Sequence, residues 1–425
     1  MRKKIIVSLM SILVLLSLSL FSIGAGATEV TYISCWDLFT GGDGEFFDPM
    51  VDEFNATHAD IQVYGPRIKH ADYYIKLMTA MAAKNAPDVC IMHQSSFPEY
   101  IPRNVLYPIE DVVKEVKIDL NDYIEAPLAA CYSGGHLYAL PLDVHPLIFY
   151  YNIDLMKAAG LVDESGKVML PKSAEEFINF ARQIQEKTDQ WGVDIENTTS
   201  VYPASTLSRL FFSLLAQQGG TMLTPDLKKA NFNNEKAVKA LKLLVDLTLT
   251  YKVNPPNMDY DAGCTLFKLG KAGMHFNGVW ALGSYAQAKD LNMGCAPVPV
   301  LYAKGAAWSG SHTFVFPIQK EKNMEKLRAG VIFAAWMSEH GEMWAKAGHC
   351  PVRENVLEKP EFKALPYRAD YAAAAESAWA PPGTPRWGEI YKTCSDYFEA
   401  AVAGKWSVEE TLDRLEDEVN SILAR

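Results

Sequence analysis

The sequence is poor in basic residues, with 40 lysines and arginines against 51 aspartates and glutamates over 425 residues and a net charge of −11. No segment is rich in lysine or arginine. Because an acidic surface repels a phosphate backbone, we expect no nucleic-acid partner. Hydrophobic residues make up 49% of the chain, which excludes intrinsic disorder and predicts large cores in two or three domains.

Cysteines are few and scattered. No two have the C-x-x-C spacing, and no histidine stands beside them at the separation typical of zinc ligands. The seven are Cys35, Cys90, Cys131, Cys264, Cys295, Cys350 and Cys394. This pattern predicts buried, unreactive thiols rather than a disulfide framework, and the odd number leaves at least one thiol free.

Motifs of catalysis and cofactor binding are also missing. Residues 160–167 have one residue too many between the glycine and the Gly-Lys pair of a phosphate loop, and Phe47 stands where a dinucleotide fingerprint needs its third glycine. There is no H-E-x-x-H, G-x-S-x-G or EF-hand pattern. We therefore predict no catalytic residue, no metal and no cofactor.

The first 27 residues have the pattern of a secretory signal peptide. Arg2, Lys3 and Lys4 precede an apolar run from Ile5 to about Ile23, and small residues 25–27 follow. An uncleaved membrane anchor is the alternative, but the serines within the run and the small residues after it favour cleavage near Ala27. Cleavage would change the net charge from −11 to −14. Residues 32–35 lack the pattern of a lipoprotein processing site, so we expect a soluble periplasmic or extracellular protein.

Strand and helix patterns alternate along the mature chain. Residues 29–34, 61–64 and 88–92 predict strands, and apolar residues at three-and-four spacing predict helices around 46–54 and 74–81. Such alternation is typical of an α/β fold with a mostly parallel sheet, whose ligands bind at the carboxyl ends of strands.

Further strands are predicted at 137–140, 147–151, 272–277, 293–296 and 313–317. Ser173 and Ser407, each with a glutamate three residues later, predict helix starts.

Aromatic and polar residues are mixed in segments that follow the predicted strands. A pyranose ring stacks its apolar face on an aromatic side chain, while its hydroxyls need polar partners, so a sugar site needs both types in one cleft. The mixed segments are 36–44, 70–74, 93–96, 143–146, 277–280, 308–312 and 386–387. They indicate carbohydrate binding.

At these residues the sequence resembles the extracytoplasmic solute-binding proteins of ABC importers, in particular the maltose-binding-protein-like sugar-binding family. The matching segments are WDLFTGGDGEFFDPMVDEFN at 36–55, APDV at 86–89, LYALPLD at 137–143, YYN at 150–152, NGVW at 277–280 and GSH at 310–312.

The resemblance implies the two-lobed α/β periplasmic-binding-protein fold of type II, in which each lobe is a mostly parallel sheet flanked by helices and the ligand lies in the cleft between them. Lobe one would comprise residues 28–143 and 298–346, and lobe two residues 144–297 and 347–425. The chain would cross between the lobes near Val144, Val298 and Ala347.

The resemblance also implies ligand-binding residues. From lobe one these would be Trp36, Asp37, Asp43, His70, Gln94, Ser95 and His312, and from lobe two His145, Trp280 and Trp387. The aromatic rings would stack on sugar rings and the polar groups would bind hydroxyls.

The expected function is that of the substrate-binding subunit of a carbohydrate importer, a monomer that delivers a sugar or short oligosaccharide to membrane permease subunits. One alternative is an exported carbohydrate hydrolase, for which Asp37, Asp43 and Asp143 are candidate carboxylates. Another is the same fold with a polyamine, a metal chelate or a phosphorylated polyol as ligand.

Overall fold

A computed structural model describes residues 29–40, 42–198, 205–371, 374 and 378–425. The predicted signal peptide, residues 1–27, lies outside this part of the chain. Within the described ranges, no helix combines the length and the hydropathy needed to cross a bilayer.

A strand is present at each predicted position, and the described residues contain five further strands that were not predicted. In chain order the strands are β1 (Thr31–Trp36), β2 (Ile61–Tyr64), β3 (Val89–His93), β4 (Tyr132–Ser133), β5 (His136–Leu137), β6 (Ala139–Pro141), β7 (Asp143–Asn152), β8 (Trp191–Asp194), β9 (Ala272–Gly278), β10 (Met293–Pro297), β11 (Ala307–Gly310), β12 (His312–Val315), β13 (Cys350–Pro351) and β14 (Ala378–Trp379).

The α-helices separate these strands. They are α1 (Gly44–Thr57), α2 (His70–Ala82), α3 (Phe97–Tyr100), α4 (Glu110–Glu115), α5 (Glu125–Ala129), α6 (Ile153–Ala158), α7 (Ala174–Thr188), α8 (Thr206–Gln217), α9 (Glu235–Leu249), α10 (Tyr260–Lys268), α11 (Leu282–Ala286), α12 (Met324–Glu339), α13 (Gly341–Trp344), α14 (Glu354–Glu358), α15 (Pro360–Lys363), α16 (Arg368–Tyr371), α17 (Trp387–Val402) and α18 (Val408–Leu423). The predicted caps are present, since the hydroxyls of Ser173 and Ser407 accept hydrogen bonds from the backbone N–H groups of Glu176 and Glu410.

Two sheets form the two lobes. The first has the strand order β2-β1-β3-β12-β6, and the second has the order β14-β11-β7-β9-β8, with β10 and β13 also paired to β7. Each sheet has its own apolar core, which includes Phe54 and Phe314 in lobe one and Phe149 and Phe211 in lobe two.

The sheets are more mixed than the alternation pattern predicted. β1 is parallel to β2 and β3, but β12 is antiparallel to β3 and β6. In lobe two, β7 is antiparallel to β9, β10, β11 and β13. The antiparallel pairs arise because β7 and β12 are each entered directly from the other sheet rather than through a β-α-β crossover.

The positions at which the chain crosses between the lobes differ from those expected. The first crossing, at Leu142 between β6 and β7, adjoins the expected Val144. Val298 and Leu301, however, are buried in the core of lobe two, and β11 pairs with β7, so the chain returns to lobe one only at Ser311. The apolar side chains that follow Val298 hold this segment on lobe two.

The third crossing is spread over a longer segment than expected. Ala347 and Val352 pack in the core of lobe one, while β13 between them pairs with the first residues of β7. The Glu354 backbone N–H donates to the carbonyl of Asp122 in lobe one, whereas α16 packs against β10 of lobe two. Residues 347–351 therefore lie at the junction of the lobes, and transfer to lobe two follows α15.

All seven cysteines are free thiols, and none forms a disulfide within the described residues. Burial raises the pKa of Cys264 to about 11, which keeps this partly buried thiol protonated and unreactive at neutral pH.

Candidate functional site

A cavity of about 640 Å³, including its open mouth, lies between the two sheets. Both lobes contribute to its wall, as a ligand that drives closure requires. Lobe one supplies Leu38, Thr40, Asp43, His70, His93 and His312, and lobe two supplies His145, Arg209, Tyr260, Trp280 and Trp308.

A second, wider chamber of about 1380 Å³, including open space, adjoins the first. The two share His70, His93, Arg209 and Trp308 as lining residues. The second chamber extends between α2 and the start of α17, where Trp387 and Tyr391 form part of its wall. Together the chambers form one elongated cleft.

Two indole rings form the aromatic wall on the side of lobe two. Trp280 and Trp308 meet edge to face, with their ring centroids 6.3 Å apart. The guanidinium of Arg209, on α8, lies 5.0 Å from the centroid of Trp280 and 4.8 Å from that of Trp308. The wall therefore combines apolar ring faces with a positive charge.

The orientation of Trp280 depends on Gly278, the last residue of β9. A Cβ at position 278 would collide with the six-membered ring of Trp280, so the indole lies against the backbone of this residue. The Trp280 indole N–H donates to the Tyr260 hydroxyl at 2.9 Å. This explains the N-G-V-W segment physically, because glycine allows the ring to lie flat at the end of the strand.

Asp43 faces the first chamber from the N-terminus of α1. It is 8% exposed, and its Oδ1 has no hydrogen-bond partner among the described residues. Burial raises the pKa of Asp43 to about 6, against the opposing effect of nearby His312. This buried oxygen can accept a hydrogen bond, for example from a hydroxyl group.

A row of imidazole rings crosses the floor of the cavity. The centroid distances are 5.6 Å from His70 to His93, 4.7 Å from His93 to His312 and 4.1 Å from His312 to His145. Burial lowers the pKa of His70 and of His145 to about 4, so both rings are neutral near pH 7. Neutral imidazoles can both donate and accept hydrogen bonds, as sugar hydroxyls require.

Asp143 lies below this floor and is completely buried. Its Oδ1 accepts hydrogen bonds from His145 Nδ1 at 2.8 Å and the His312 backbone N–H at 3.0 Å. Its Oδ2 accepts from His312 Nδ1 at 2.8 Å and the Trp344 indole N–H at 2.7 Å. Although burial by itself raises the pKa of Asp143, the surrounding histidines hold it well below its usual value. Asp143 is therefore ionised although it is completely buried.

Most of the predicted site residues line the cleft. Asp43, His70, His145, Trp280 and His312 line the first chamber, and His70, Ser95 and Trp387 line the second. Trp387 is 3% exposed and packs against Phe212 and Tyr391, so it presents little surface to a ligand. A binding role for these residues stays a prediction.

Trp36, Asp37 and Gln94 are not among the residues that line either chamber. The Trp36 ring packs against the core of lobe one, at the end of β1. The Asp37 carboxylate pairs with Arg67 Nε at 2.7 Å and accepts from the Phe39 backbone N–H. The Gln94 backbone N–H donates to the Ser311 carbonyl, which links the ends of β3 and β11. Here these residues make contacts that hold the fold.

Arg209 and Tyr260 were missed by the sequence analysis. Both lie at the starts of helices that fold back onto β9, far along the chain from the predicted motifs. Arg209 is the one cation in the TLSRLFFSLL stretch, and an isolated charge on a largely buried helix was the available signal. Tyr260 offered no comparable signal.

Comparison with known proteins shows that one family model matches most of the chain. The model of a family described as bacterial extracellular solute-binding proteins matches residues 49–370. A maltotriose-binding protein of Pyrococcus abyssi is 23% identical over 364 residues, covering 84% of this chain and 74% of that protein. An arabinooligosaccharide-binding protein of Bacillus subtilis is 24% identical over 391 residues, covering 87% of this chain and 85% of that protein.

Solved structures match the whole fold. The substrate-binding protein Lmo0181 of Listeria monocytogenes, in complex with cycloalternan, has a TM-score of 0.80 and 22% identity, over 93% of this chain and 100% of that one. The GacH receptor of Streptomyces glaucescens, studied without ligand and with acarbose, has a TM-score of 0.82 and 21% identity, over 93% and 99%. The predicted two-lobed α/β fold is confirmed.

Proposed function

This chain belongs to the bacterial extracellular solute-binding proteins, and on that premise we propose that it binds a short oligosaccharide in its interlobe cleft for delivery to an ABC importer. The relatives named above are maltotriose- and arabinooligosaccharide-binding proteins, which supports a carbohydrate as the substrate class.

The observation that carries this proposal is the composition of the cavity wall. Trp280 and Trp308 present apolar ring faces from lobe two, and Asp43 and His70 present buried polar groups from lobe one. A sugar bridging these walls would gain stacking on one side and hydrogen bonds on the other. Because the two sets come from different lobes, such a ligand stabilises the closed form over the open one.

The length of the cleft favours an oligosaccharide over a single sugar. A sugar ring in the first chamber would lie against Trp280, and the adjoining chamber has space for further rings towards Trp387. Ser95, Glu99 and Thr384 line this second chamber and can bind hydroxyls.

The placement of the carboxylates supports binding without hydrolysis. A glycosidase needs two carboxyl groups about 5 to 10 Å apart across the scissile bond. Asp37 is paired with Arg67 away from the cleft, and Asp143 is buried beneath the floor. Among the described lining residues, Asp43 and Glu99 are the carboxylates, and they lie in different chambers.

The family is extracellular, and the N-terminal sequence supports export with cleavage near Ala27. The partners would be permease subunits in the membrane, with the transport energy supplied by an ATPase on other chains. We expect the mature protein to act as a monomer and to bind no nucleic acid, in line with its acidic composition.

Arg209 supports a second candidate, a phosphorylated polyol. A guanidinium in the cavity wall can bind phosphate oxygens in pairs. The buried carboxylate of Asp43 lies in the same chamber and opposes a dianion, so the neutral sugar is the better fit.

The test is a thermal-shift screen of the mature protein against maltooligosaccharides, arabinooligosaccharides, chitooligosaccharides, monosaccharides and glycerol phosphate, followed by calorimetry on the positives. A true ligand at 100 times its Kd should add about 2.7 kcal/mol to the free energy of unfolding. We expect a neutral oligosaccharide to give the largest shift and no product to form on prolonged incubation. Saturable binding of glycerol phosphate alone would favour the second candidate, and release of reducing ends would contradict both.

A further inference from the structure

Four side chains in and beneath the floor of the cleft bring together the donor atoms of a metal site. They are Asp143, His145, His312 and His349, all buried, and one potential ligand atom from each lies within 4.8 Å of the others. In sequence they are dispersed, since His312 follows Asp143 by 169 positions, so no short motif indicates them.

The distances are close to those of tetrahedral coordination. Asp143 oxygens lie 2.8 Å from His145 Nδ1, 2.8 Å from His312 Nδ1 and 3.7 Å from His349 Nε2. Ligands bound at about 2.0–2.1 Å around a tetrahedral zinc ion are about 3.3 Å apart. The four donor atoms lie within 4.8 Å of one another, so shifts of about 1 Å would place all of them around one ion.

His349 provides the independent indication of a ligand. It is completely buried, yet neither ring nitrogen has a hydrogen-bond partner among the described residues. Its Nε2 faces the Asp143 carboxylate at 3.7 Å, beyond hydrogen-bond distance. A buried polar ring left unsatisfied costs about 1–3 kcal/mol, so this imidazole needs a partner that the described side chains do not provide.

The surroundings have the form of an outer shell. The Trp344 indole N–H and the His312 backbone N–H both donate to the Asp143 carboxylate, and the Trp344 ring stacks on His349 with centroids 4.3 Å apart. Hydrogen bonds of this kind orient ligating carboxylates in known metal sites.

We propose that Asp143, His145, His312 and His349 form a binding site for a divalent transition-metal ion of the zinc class. Three imidazoles and one carboxylate are the donor set that zinc takes in tetrahedral sites, and the site excludes the many oxygens that calcium or magnesium would need.

The site lies where the lobes join. Asp143 and His145 directly follow the first crossing, His312 follows the second, and His349 lies in the junction segment of the third. A bound ion would tie the three crossings together and fix the floor of the cleft, on which His145 and His312 also face the ligand cavity. The inference goes beyond sugar binding and does not depend on it.

The test uses Co²⁺ as a spectroscopic probe on the chelator-treated wild-type protein. We expect one Co²⁺ per chain with the intense visible absorption of four-coordinate cobalt, displaced by Zn²⁺, and a metal-dependent rise in Tm. The absence of stoichiometric binding, or a weak six-coordinate spectrum, would overturn the proposal.

Two matched variants place the site. His349→Phe keeps the ring stack on Trp344 and removes both nitrogens, so it should fold, lose the Co²⁺ spectrum and lose the metal-dependent rise in Tm. His340→Phe is the control, because His340 stacks on Trp336 in the same manner, with centroids 3.9 Å apart, outside the cluster. It should bind Co²⁺ as the wild type does. Equal binding by both variants would refute the assignment.

Should His349→Phe fail to fold, Trp344→Phe provides the second variant. It keeps an aromatic ring and removes the N–H that donates to Asp143, and loss of an outer-shell partner typically weakens metal binding about 10- to 100-fold. Unchanged affinity in this variant would contradict the proposed coordination. Sugar binding, measured on the same samples with and without chelator, reports separately on the proposed function.

Discussion

Replacement of Trp280 by alanine is the sharpest perturbation of the proposed sugar site. The change removes the ring that faces the first chamber, its edge-to-face contact with Trp308 and its contact with the Arg209 guanidinium. It also removes the N–H that donates to Tyr260. The polar wall contributed by lobe one is left in place.

The expected loss follows from the role of one buried aromatic anchor. Truncation of such an anchor costs about 1–3 kcal/mol in binding, which at about 1.4 kcal/mol per tenfold corresponds to a Kd about 5 to 140 times larger. The lower part of the range applies if the freed Arg209 moves into the space of the indole and donates hydrogen bonds to the ligand. Trp280→Phe, which keeps a ring face, should lose less.

Calorimetry with the best oligosaccharide from the screen measures the effect. Trp406→Ala is the control, because Trp406 packs on Tyr397 of α17 and does not line the cleft. Gly278→Ala serves as an independent variant that keeps the indole but pushes it out of place, and it should also weaken binding. An unchanged Kd in Trp280→Ala, with the variant folded, would refute the placement of this residue in the site.

Further predictions concern the carboxylates and a helix cap. Because burial raises the pKa of Asp43 to about 6, sugar affinity should fall as the pH drops below 6, and calorimetry with Asp43→Asn should show a flat profile. The pKa of this carboxyl group is about 6 in the folded protein and about 4 in the unfolded chain, so the folded state binds the proton more tightly. Asp43 should therefore add to the free energy of unfolding of the unliganded protein as the pH falls from 6 to 4. Urea titrations of the wild type and of Asp43→Asn over this pH range would show the difference. Arg67→Met leaves the buried Asp37 carboxylate without its partner and should lower the free energy of unfolding by about 2 kcal/mol, while sugar affinity stays unchanged; a large loss of affinity would instead return Asp37 to the site. Ser407→Ala removes the N-terminal cap of α18 and should cost about 1 kcal/mol in urea denaturation, and no change would show that the cap hydrogen bond is replaced by water.

Local patterns in the sequence predicted the elements well because the signals are local. The spacing of apolar residues gave α1 and α2 and the strands before and after them, and serine caps gave the starts of α7 and α18. The direction of β7 and β12 was not predicted, because antiparallel pairing there depends on how the chain crosses between lobes. The second crossing was expected near Val298 but lies at Ser311, for the same reason.

The site was predicted in part. Segments that follow strands brought Asp43, His70 and Trp280 to the cleft, as the geometry of open α/β sheets suggests. Trp36 and Asp37 follow a strand as well, but their side chains turn to the core and to Arg67. Sequence position gives the end of the sheet at which a residue lies, whereas the direction of its side chain depends on its neighbours.

The sequence by itself determined the class of the protein: an apolar start typical of export, an acidic body, alternating strands and helices, and loops that combine indoles with polar groups. Only the tertiary structure decided which of those groups meet. Arg209 joins Trp280 from a helix about 70 positions earlier, and His312 and His349 reach Asp143 from the second and third crossings. The physical reason is that these contacts join segments distant in the chain. Arg209 meets Trp280 only when lobe two folds, and the cluster around Asp143 forms only when the two sheets meet.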